Sequence, residues 1–191
     1  VHIQGVVTAA EPDWAGRFFV QDNTSGVFVE LISTNHPEPG DVVSVTGVTL
    51  PGAYAPIITK PVWKTVGHAP LPAAREVSVD RIMSGIEDGQ RVAVAGVVHA
   101  VAPDPAVGTS WLGTITSGGY RFPVVTPLST AIDPTVLIGA RVWVRGTVAA
   151  TFNATLRHMI EATLYVPCSK DFIITELEPV DPFDQPVIPL N

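Results

Sequence analysis

Hydrophobic and polar side chains alternate over short segments of this chain, and each segment ends at a turn signal. Residues 17–22 and 27–32 are rich in β-branched and aromatic side chains, and residues 23–26, Asn-Thr-Ser-Gly, are typical of a hairpin between them. Gly5 lies inside the segment at residues 1–9, and a glycine within a strand indicates a strong bend there. The predicted strands of the first half lie at 1–9, 17–22, 27–32, 42–49 and 56–66. Five strands in this order are typical of an OB-fold barrel.

The same order of strands returns in the second half of the chain. A constant spacing of 91 positions relates two sets of residues: Val1, Gly5, Val6, Val7, Ala9, Pro12 and Asp13 match Val92, Gly96, Val97, Val98, Ala100, Pro103 and Asp104. A second match joins residues 39–47 to residues 138–146. The strands of the second half are predicted at 92–101, 110–116, 120–126, 140–150 and 156–165. This duplication predicts an all-β chain of two tandem OB-fold domains, each a five-stranded barrel, with a short connector helix.

The predicted domain boundaries follow from these strands. The first barrel takes residues 1–72, the connector 73–91, the second barrel 92–175 and a tail 176–191. In the connector, residues 77–85 have the spacing of a short helix, with Ser78 or Asp80 as the N-cap and Gly85 as the C-terminal stop. The tail is rich in proline and acidic residues and has no basic residue, which predicts an extended linker.

Composition narrows the fold class and the choice of partners. Hydrophobic residues make up 46% of the 191 positions and can fill a core, whereas 18 prolines and 16 glycines disfavour long helices. The chain has 18 acidic and 11 basic residues, a net charge of −7. Phosphate binding depends on clustered lysine and arginine, so no nucleic acid is expected among the partners. Because OB folds often bind single strands, a tandem OB-fold single-stranded nucleic-acid-binding protein is the alternative.

The chain lacks the sequence signals of catalysis and of metal binding. Cys168 is the only cysteine, which excludes an intrachain disulfide and favours a packed thiol. None of the five histidines is spaced for a local chelate. No phosphate loop or nucleophile elbow is present, and the adjacent Glu87 and Asp88 indicate a solvated loop. We therefore expect no enzyme, no catalytic residue, no metal site and no cofactor.

The candidate binding site lies on the outer face of the second and third strands, where OB folds bind their partners together with the flanking loops. If Phe18 and Val20 face the barrel interior, Phe19 and Phe28 point outward and can stack a planar or sugar-like ligand. Alternatively, these two rings pack against the other barrel or the connector. Tyr54, in the loop before the fifth strand, is a candidate lid, although turn-forming residues also explain that loop. The candidate residues are Trp14, Arg17, Phe19, Gln21, Phe28, Glu30 and Tyr54.

The second copy has no comparable assignment. Trp111 and Tyr120 lie near the places of Phe19 and Phe28, but neighbouring glycines blur the alternation. A reversed strand phase would turn Tyr120 and Phe122 inward, and no site is assigned there.

An ordered set of short motifs carries a resemblance that covers nearly the whole chain. The set includes Gln4-Gly5-Val6-Val7, Phe19-Val20-Gln21-Asp22, Pro39-Gly40-Asp41, Gly67-His68-Ala69-Pro70, Asp88-Gly89-Gln90 and Pro179-Val180-Asp181-Pro182-Phe183. In this order the motifs resemble the extracytoplasmic amino-terminal region of large bacterial sensor proteins, mostly from acidobacteria. In that family the region precedes a membrane span and a histidine kinase or diguanylate cyclase module.

The resemblance implies a sensory or docking module in the periplasm. This module would be the extracytoplasmic domain of an inner-membrane protein, which is anchored through a segment after residue 191. The partner it implies is an unidentified small molecule or an envelope protein. The main expectation is therefore a non-catalytic ligand- or protein-binding module of a bacterial signal-transduction receptor of the histidine kinase type.

Overall fold

Two five-stranded barrels follow one another along the chain. The structure, a computed structural model, describes residues 1–10, 14–103, 110–127, 134–153, 155–156 and 158–177. The first barrel consists of β1 (His2–Ala9), β2 (Phe18–Gln21), β3 (Gly26–Glu30), β4 (Asp41–Leu50) and β5 (Ile57–His68). Its strands close in the order β1-β2-β3-β5-β4, and only the β3–β5 pair among them is parallel. The predicted repeat residues Pro12, Asp13 and Asp104, and the tail from residue 178 onward, lie outside the described residues.

The second barrel repeats this order and adds a strand on either side. Its strands are β6 (Arg75–Glu76), β7 (Arg91–Pro103), β8 (Trp111–Ser117), β9 (Tyr120–Thr126), β10 (Arg141–Asn153), β11 (His158–Tyr165) and β12 (Phe172–Glu176). The sheet runs β12-β10-β11-β9-β8-β7-β6, and pairing of β10 with β7 closes the barrel. The predicted fold class of two tandem OB-fold barrels is confirmed. The sequence pattern did not predict β6 or β12, which pair with the first residues of β7 and β10.

The matched glycines Gly5 and Gly96 mark the bend of each first strand. β1 pairs with β4 up to Val6 and with β2 from Val6 onward, so the strand changes partner beside Gly5. A Cβ atom would lie 2.7 Å from the Gln21 carbonyl oxygen at Gly5 and 2.9 Å from the Thr116 carbonyl oxygen at Gly96. Both positions therefore leave no room for a side chain, as the predicted bend requires.

A short helix connects the barrels and belongs to the core of the second one. Helix α1 spans Val79–Met83, with Ser78 at its N-cap, and Gly85 follows it with a left-handed φ of +79°. Val79 and Ile82 are buried in the second barrel's core. Within the described ranges, no helix has the length and apolar content needed to cross a membrane.

Each barrel has a separate hydrophobic core. In the first barrel, Phe18 is buried and meets Trp63 edge to face, with ring centroids 5.7 Å apart. In the second barrel, Phe122 is buried, whereas Tyr120 is 40% exposed. Of the two residues that a reversed strand phase would turn inward, only Phe122 therefore lies in the core.

Candidate binding site at the barrel junction

The first barrel contacts the connector along the end of its β2–β3 hairpin. The Arg91 N–H donates to Gln21 Oε1 at 2.9 Å, and Gln90 Nε2 donates to Ser25 Oγ at 2.9 Å. Gly26 packs so closely on Gly89 that a Cβ atom at Gly26 would lie 2.7 Å from the Gly89 carbonyl carbon. Such a distance is shorter than real Cβ contacts, so glycine is required by the close approach of the two backbones.

The connector is bound in turn to strand β10 of the second barrel. The Gly89 N–H donates to the Val148 carbonyl at 2.8 Å, and the Val148 N–H donates to the Gln90 carbonyl at 3.0 Å. The Ala150 N–H donates to Asp88 Oδ1 at 2.9 Å. The connector thus holds the outer face of β2 and β3 against the second barrel.

Three rings of the first barrel form an aromatic cluster at this junction. The ring centroids of Phe19 and Phe28 are 5.0 Å apart, and those of Trp14 and Phe19 are 5.9 Å apart. Trp14 also meets Tyr165 of the second barrel edge to face at 4.5 Å. These distances lie in the range of favourable aromatic pairs. Phe19 is 5% exposed, so the outer face of β2 is covered at this point.

A second aromatic pair joins the loop before β5 of the first barrel to the end of β10 in the second barrel. Tyr54 stacks on Phe152 with ring centroids 4.5 Å apart and an angle of 11° between the planes. Gly85 packs against this pair, since a Cβ atom at Gly85 would lie 3.1 Å from the Phe152 ring. Tyr54 nevertheless remains 45% exposed, so part of its surface is open to a ligand.

The two aromatic groups enclose a junction cavity of about 340 Å³. Its lining is mainly aromatic and aliphatic, and the charged side chains that the structure describes in it are those of Arg17 and Asp88. Among the described residues neither of these two has an ion-pair partner. A larger cleft of about 660 Å³ lies next to the junction cavity, and Tyr54, Ala55 and Asp88 line both spaces. These volumes are within the range of small-molecule sites.

The structure brings five of the seven predicted site residues together. Trp14, Arg17, Phe19, Phe28 and Tyr54 all line the junction cavity.

The other two predicted residues do not line the junction cavity. Gln21 accepts a hydrogen bond from the Arg91 backbone and so links the barrel to the connector. Glu30 is exposed at the end of β3, opposite Thr59. The role of all seven residues in ligand binding stays a prediction.

Sequence reasoning missed Asp88 and Phe152. The interpretation of Glu87 and Asp88 as a solvated loop is wrong, because Glu87 is fully buried between Arg75 and Arg81. Burial raises the pKa of Asp88, against the lowering effect of hydrogen bonds from the backbone. No local pattern signals this burial, because the elements that cover Asp88 are distant in sequence.

Asp22, which lines the larger cleft, is held within its own turn. Asp22 Oδ1 accepts from the Thr24 hydroxyl at 2.6 Å and from the Thr24 and Ser25 N–H groups at 2.7 and 3.0 Å. The bond from the Thr24 hydroxyl, followed by the backbone bonds, lowers the pKa of this exposed carboxyl. Asp22 therefore stabilises the hairpin turn that contacts the connector.

The second barrel does not repeat the aromatic face. Strand pairing places Thr114 and Pro123 where the first barrel has Phe19 and Phe28. Trp111 and Tyr120 lie near those places, as expected, but each is three residues away from Thr114 or Pro123 and is not the counterpart of Phe19 or Phe28. The strand register is the same in both barrels, with a bulge after Val7 in β1 and after Val98 in β7, so the difference lies in the residues that occupy the two positions. In the described part of the chain, no cluster of three or more His, Cys, Asp or Glu side chains could hold a metal ion.

Comparisons with known proteins give structural likenesses alone. No family model and no curated protein matches the sequence. Among solved structures, a murine DNA binding protein bound with double-stranded DNA matches with a TM-score of 0.39 and 14% identity, over 88% of this chain and 95% of that one. The Ifi202 HINa domain in complex with double-stranded DNA matches with a TM-score of 0.37 and 10% identity, over 86% and 91%.

An aspartyl tRNA synthetase from Entamoeba histolytica matches with a TM-score of 0.40 and 12% identity, over 56% of this chain and 22% of that one. This chain therefore spans less than a quarter of the synthetase. The expectation that no nucleic acid is among the partners is corrected by these likenesses, because two of the three structures hold bound DNA. Net charge alone was too coarse a basis for that exclusion.

Proposed function

We propose that this chain is a non-catalytic binding protein that takes up single-stranded nucleic acid and holds one base in the junction cavity. The observation that carries the proposal is the cluster of Trp14, Phe19, Phe28 and Tyr54 around a cavity of about 340 Å³ that also holds Arg17. These residues come from the two strands and two loops that OB folds use to bind oligonucleotides. Aromatic rings stack bases of any sequence, and each stacked base contributes about 1–3 kcal/mol.

The acidic composition limits how such a strand is bound. Among the residues that the structure describes, Arg17 is the one basic side chain that lines the junction cavity, so few phosphates are neutralised there. Each neutralised phosphate of a single strand contributes a slope of about −0.7 to log K against log salt. We therefore expect binding that depends on stacking and that weakens little between about 50 and 200 mM salt.

Fluorescence anisotropy with a labelled oligonucleotide of about 12 nucleotides, within the site size of one or two OB folds, tests this proposal. Tyr54→Ala should weaken binding by about 5- to 150-fold, the equivalent of one lost stacking contact. Tyr120→Ala is the matched control, because Tyr120 is similarly exposed, at 40% against 45%, and lies outside both cavities. Absence of binding, or equal losses in the two variants, would exclude the proposal.

The net charge of −7 favours a second candidate function, in which the same cavity captures a small planar molecule for a sensory module. This candidate keeps the periplasmic receptor interpretation of the sequence, which stays a prediction. A thermal-shift screen with nucleosides, sugars and amino acids separates the two functions. A saturable shift with a small molecule, together with no binding of the oligonucleotide, would favour the sensory candidate.

A further inference from the structure

Asp88 occupies the position where the junction cavity meets the larger cleft. It lies in the connector and lines both spaces, together with Tyr54 and Ala55 of the first barrel. Its Oδ1 atom accepts from the Ala150 N–H at 2.9 Å, which ties it to β10 of the second barrel. The carboxyl group is therefore held in a defined place beside the aromatic rings.

The fold does not use the full hydrogen-bonding capacity of this carboxylate. An ionised carboxylate offers about four acceptor positions, and the backbone N–H groups of Ala150 and Gly89 account for two. In the described part of the chain, Asp88 has no ion-pair partner. A neutral amide oxygen would also accept from the Ala150 N–H, through a weaker bond, and would avoid the cost of burying a charge. Among the described residues, two backbone N–H groups contact this negative charge and no cation balances it.

A carboxylate beside a stacked base accepts from N–H donors on the edge of that base. Guanine presents two adjacent donors, N1–H and N2–H, which match the two oxygens of a carboxylate. Thymine presents a single N3–H between two carbonyl oxygens, and these oxygens repel a carboxylate. We infer that Asp88 makes the junction cavity selective for guanine, an inference that rests on the proposed function and extends it to base identity.

Four oligonucleotides test the selectivity, each a thymine strand of about 12 nucleotides whose central base is guanine, adenine, cytosine or thymine. The guanine strand should bind most tightly, by about 5- to 150-fold over the thymine strand, as expected for one bidentate pair. Asp88→Asn keeps an oxygen for the Ala150 N–H and places an N–H₂ donor where the wild type has an acceptor. This variant should lose the guanine preference and bind the thymine strand at least as well as the wild-type chain.

Asp80→Asn is the matched control, because it makes the same change in net charge at an exposed helix residue that lines neither cavity. It should leave the order of the four affinities unchanged. Equal affinities of the wild-type chain for all four strands would overturn the selectivity and leave the proposed function standing. An Asp88→Asn variant that binds all four strands more weakly by one common factor would show a merely structural role. Failure of all four strands to bind would overturn the proposed function and the selectivity together.

Discussion

A substitution at Gly26 tests whether the close contact between the β2–β3 hairpin and the connector holds the two barrels together. In Gly26→Ala, the new Cβ atom would lie 2.7 Å from the Gly89 carbonyl carbon, whereas ordinary contacts begin at 3.4 Å. The Gly89 carbonyl oxygen lies closer still to the new Cβ atom, so the two backbones must separate by more than about 0.7 Å. Neither side can yield by rotating a side chain, since both groups belong to the backbone.

Overpacking of this kind costs about 1–3 kcal/mol. For a chain of this length, a loss of 1 kcal/mol lowers the melting temperature by about 2–4 °C, so we expect a fall of about 2–12 °C in scanning calorimetry. The separation also strains the bond from the Arg91 N–H to Gln21, and that amide should exchange its hydrogen faster in the variant.

Gly67→Ala is the control for Gly26→Ala. Gly67 lies in β5, and a Cβ atom there would meet nothing within 4 Å. Its melting temperature should stay close to that of the wild-type chain, as for other surface substitutions. If Gly26→Ala melts and exchanges like Gly67→Ala, the hairpin does not press on the connector, and the close contact between Gly26 and Gly89 is refuted.

Two further predictions concern buried carboxylates. Burial raises the pKa of Asp88 above its ordinary value of 3.8. The contribution of this carboxyl group to stability is therefore complete below about pH 3.8, where the group is protonated, and is lost as the pH rises through the raised pKa. Asp88→Asn should therefore melt at a higher temperature than the wild-type chain at neutral pH, and the gap should close in acid; a lower melting temperature at neutral pH would contradict this. Asp171 pairs with the buried Arg91 at 2.8 Å, so Asp171→Ala should cost about 3–5 kcal/mol in urea unfolding. Removal of Glu176, whose ion pair with Arg141 is exposed, should cost about 0–1 kcal/mol, and similar losses in both variants would refute the distinction.

The strand order could be predicted because its signals are local. The Asn23–Gly26 turn defines the first hairpin, and the spacing between Gly5 and Gly96 transfers the same order to the second half. β6 has two residues, and β12 forms through pairing with β10 rather than through a strong pattern of its own. Such short flanking strands depend on a partner that is distant in the chain, so their own residues carry little signal.

The candidate site was predictable only in part, for the same reason. Alternation along β2 placed Phe19 on the outer face, but it gave no information about what covers that face. The burial of Asp88 and the stacking of Phe152 on Tyr54 arise where the second barrel meets the first. A cavity formed by two domains is a property of their arrangement, and the pattern within each domain does not contain it.

The composite nature of the cavity links its occupancy to the arrangement of the barrels. A ligand stacked on Tyr54 and bonded to Asp88 would contact the first barrel and the connector at once, and the connector is itself bonded to β10. Such a ligand binds only when the junction is closed, so its binding free energy adds to the stability of the closed arrangement. Gly26→Ala should therefore weaken ligand binding although Gly26 lines the larger cleft and not the junction cavity. Unchanged affinity in that variant would mean that the ligand contacts one barrel alone. The choice of partner would then depend on the net charge of that barrel and not on the junction.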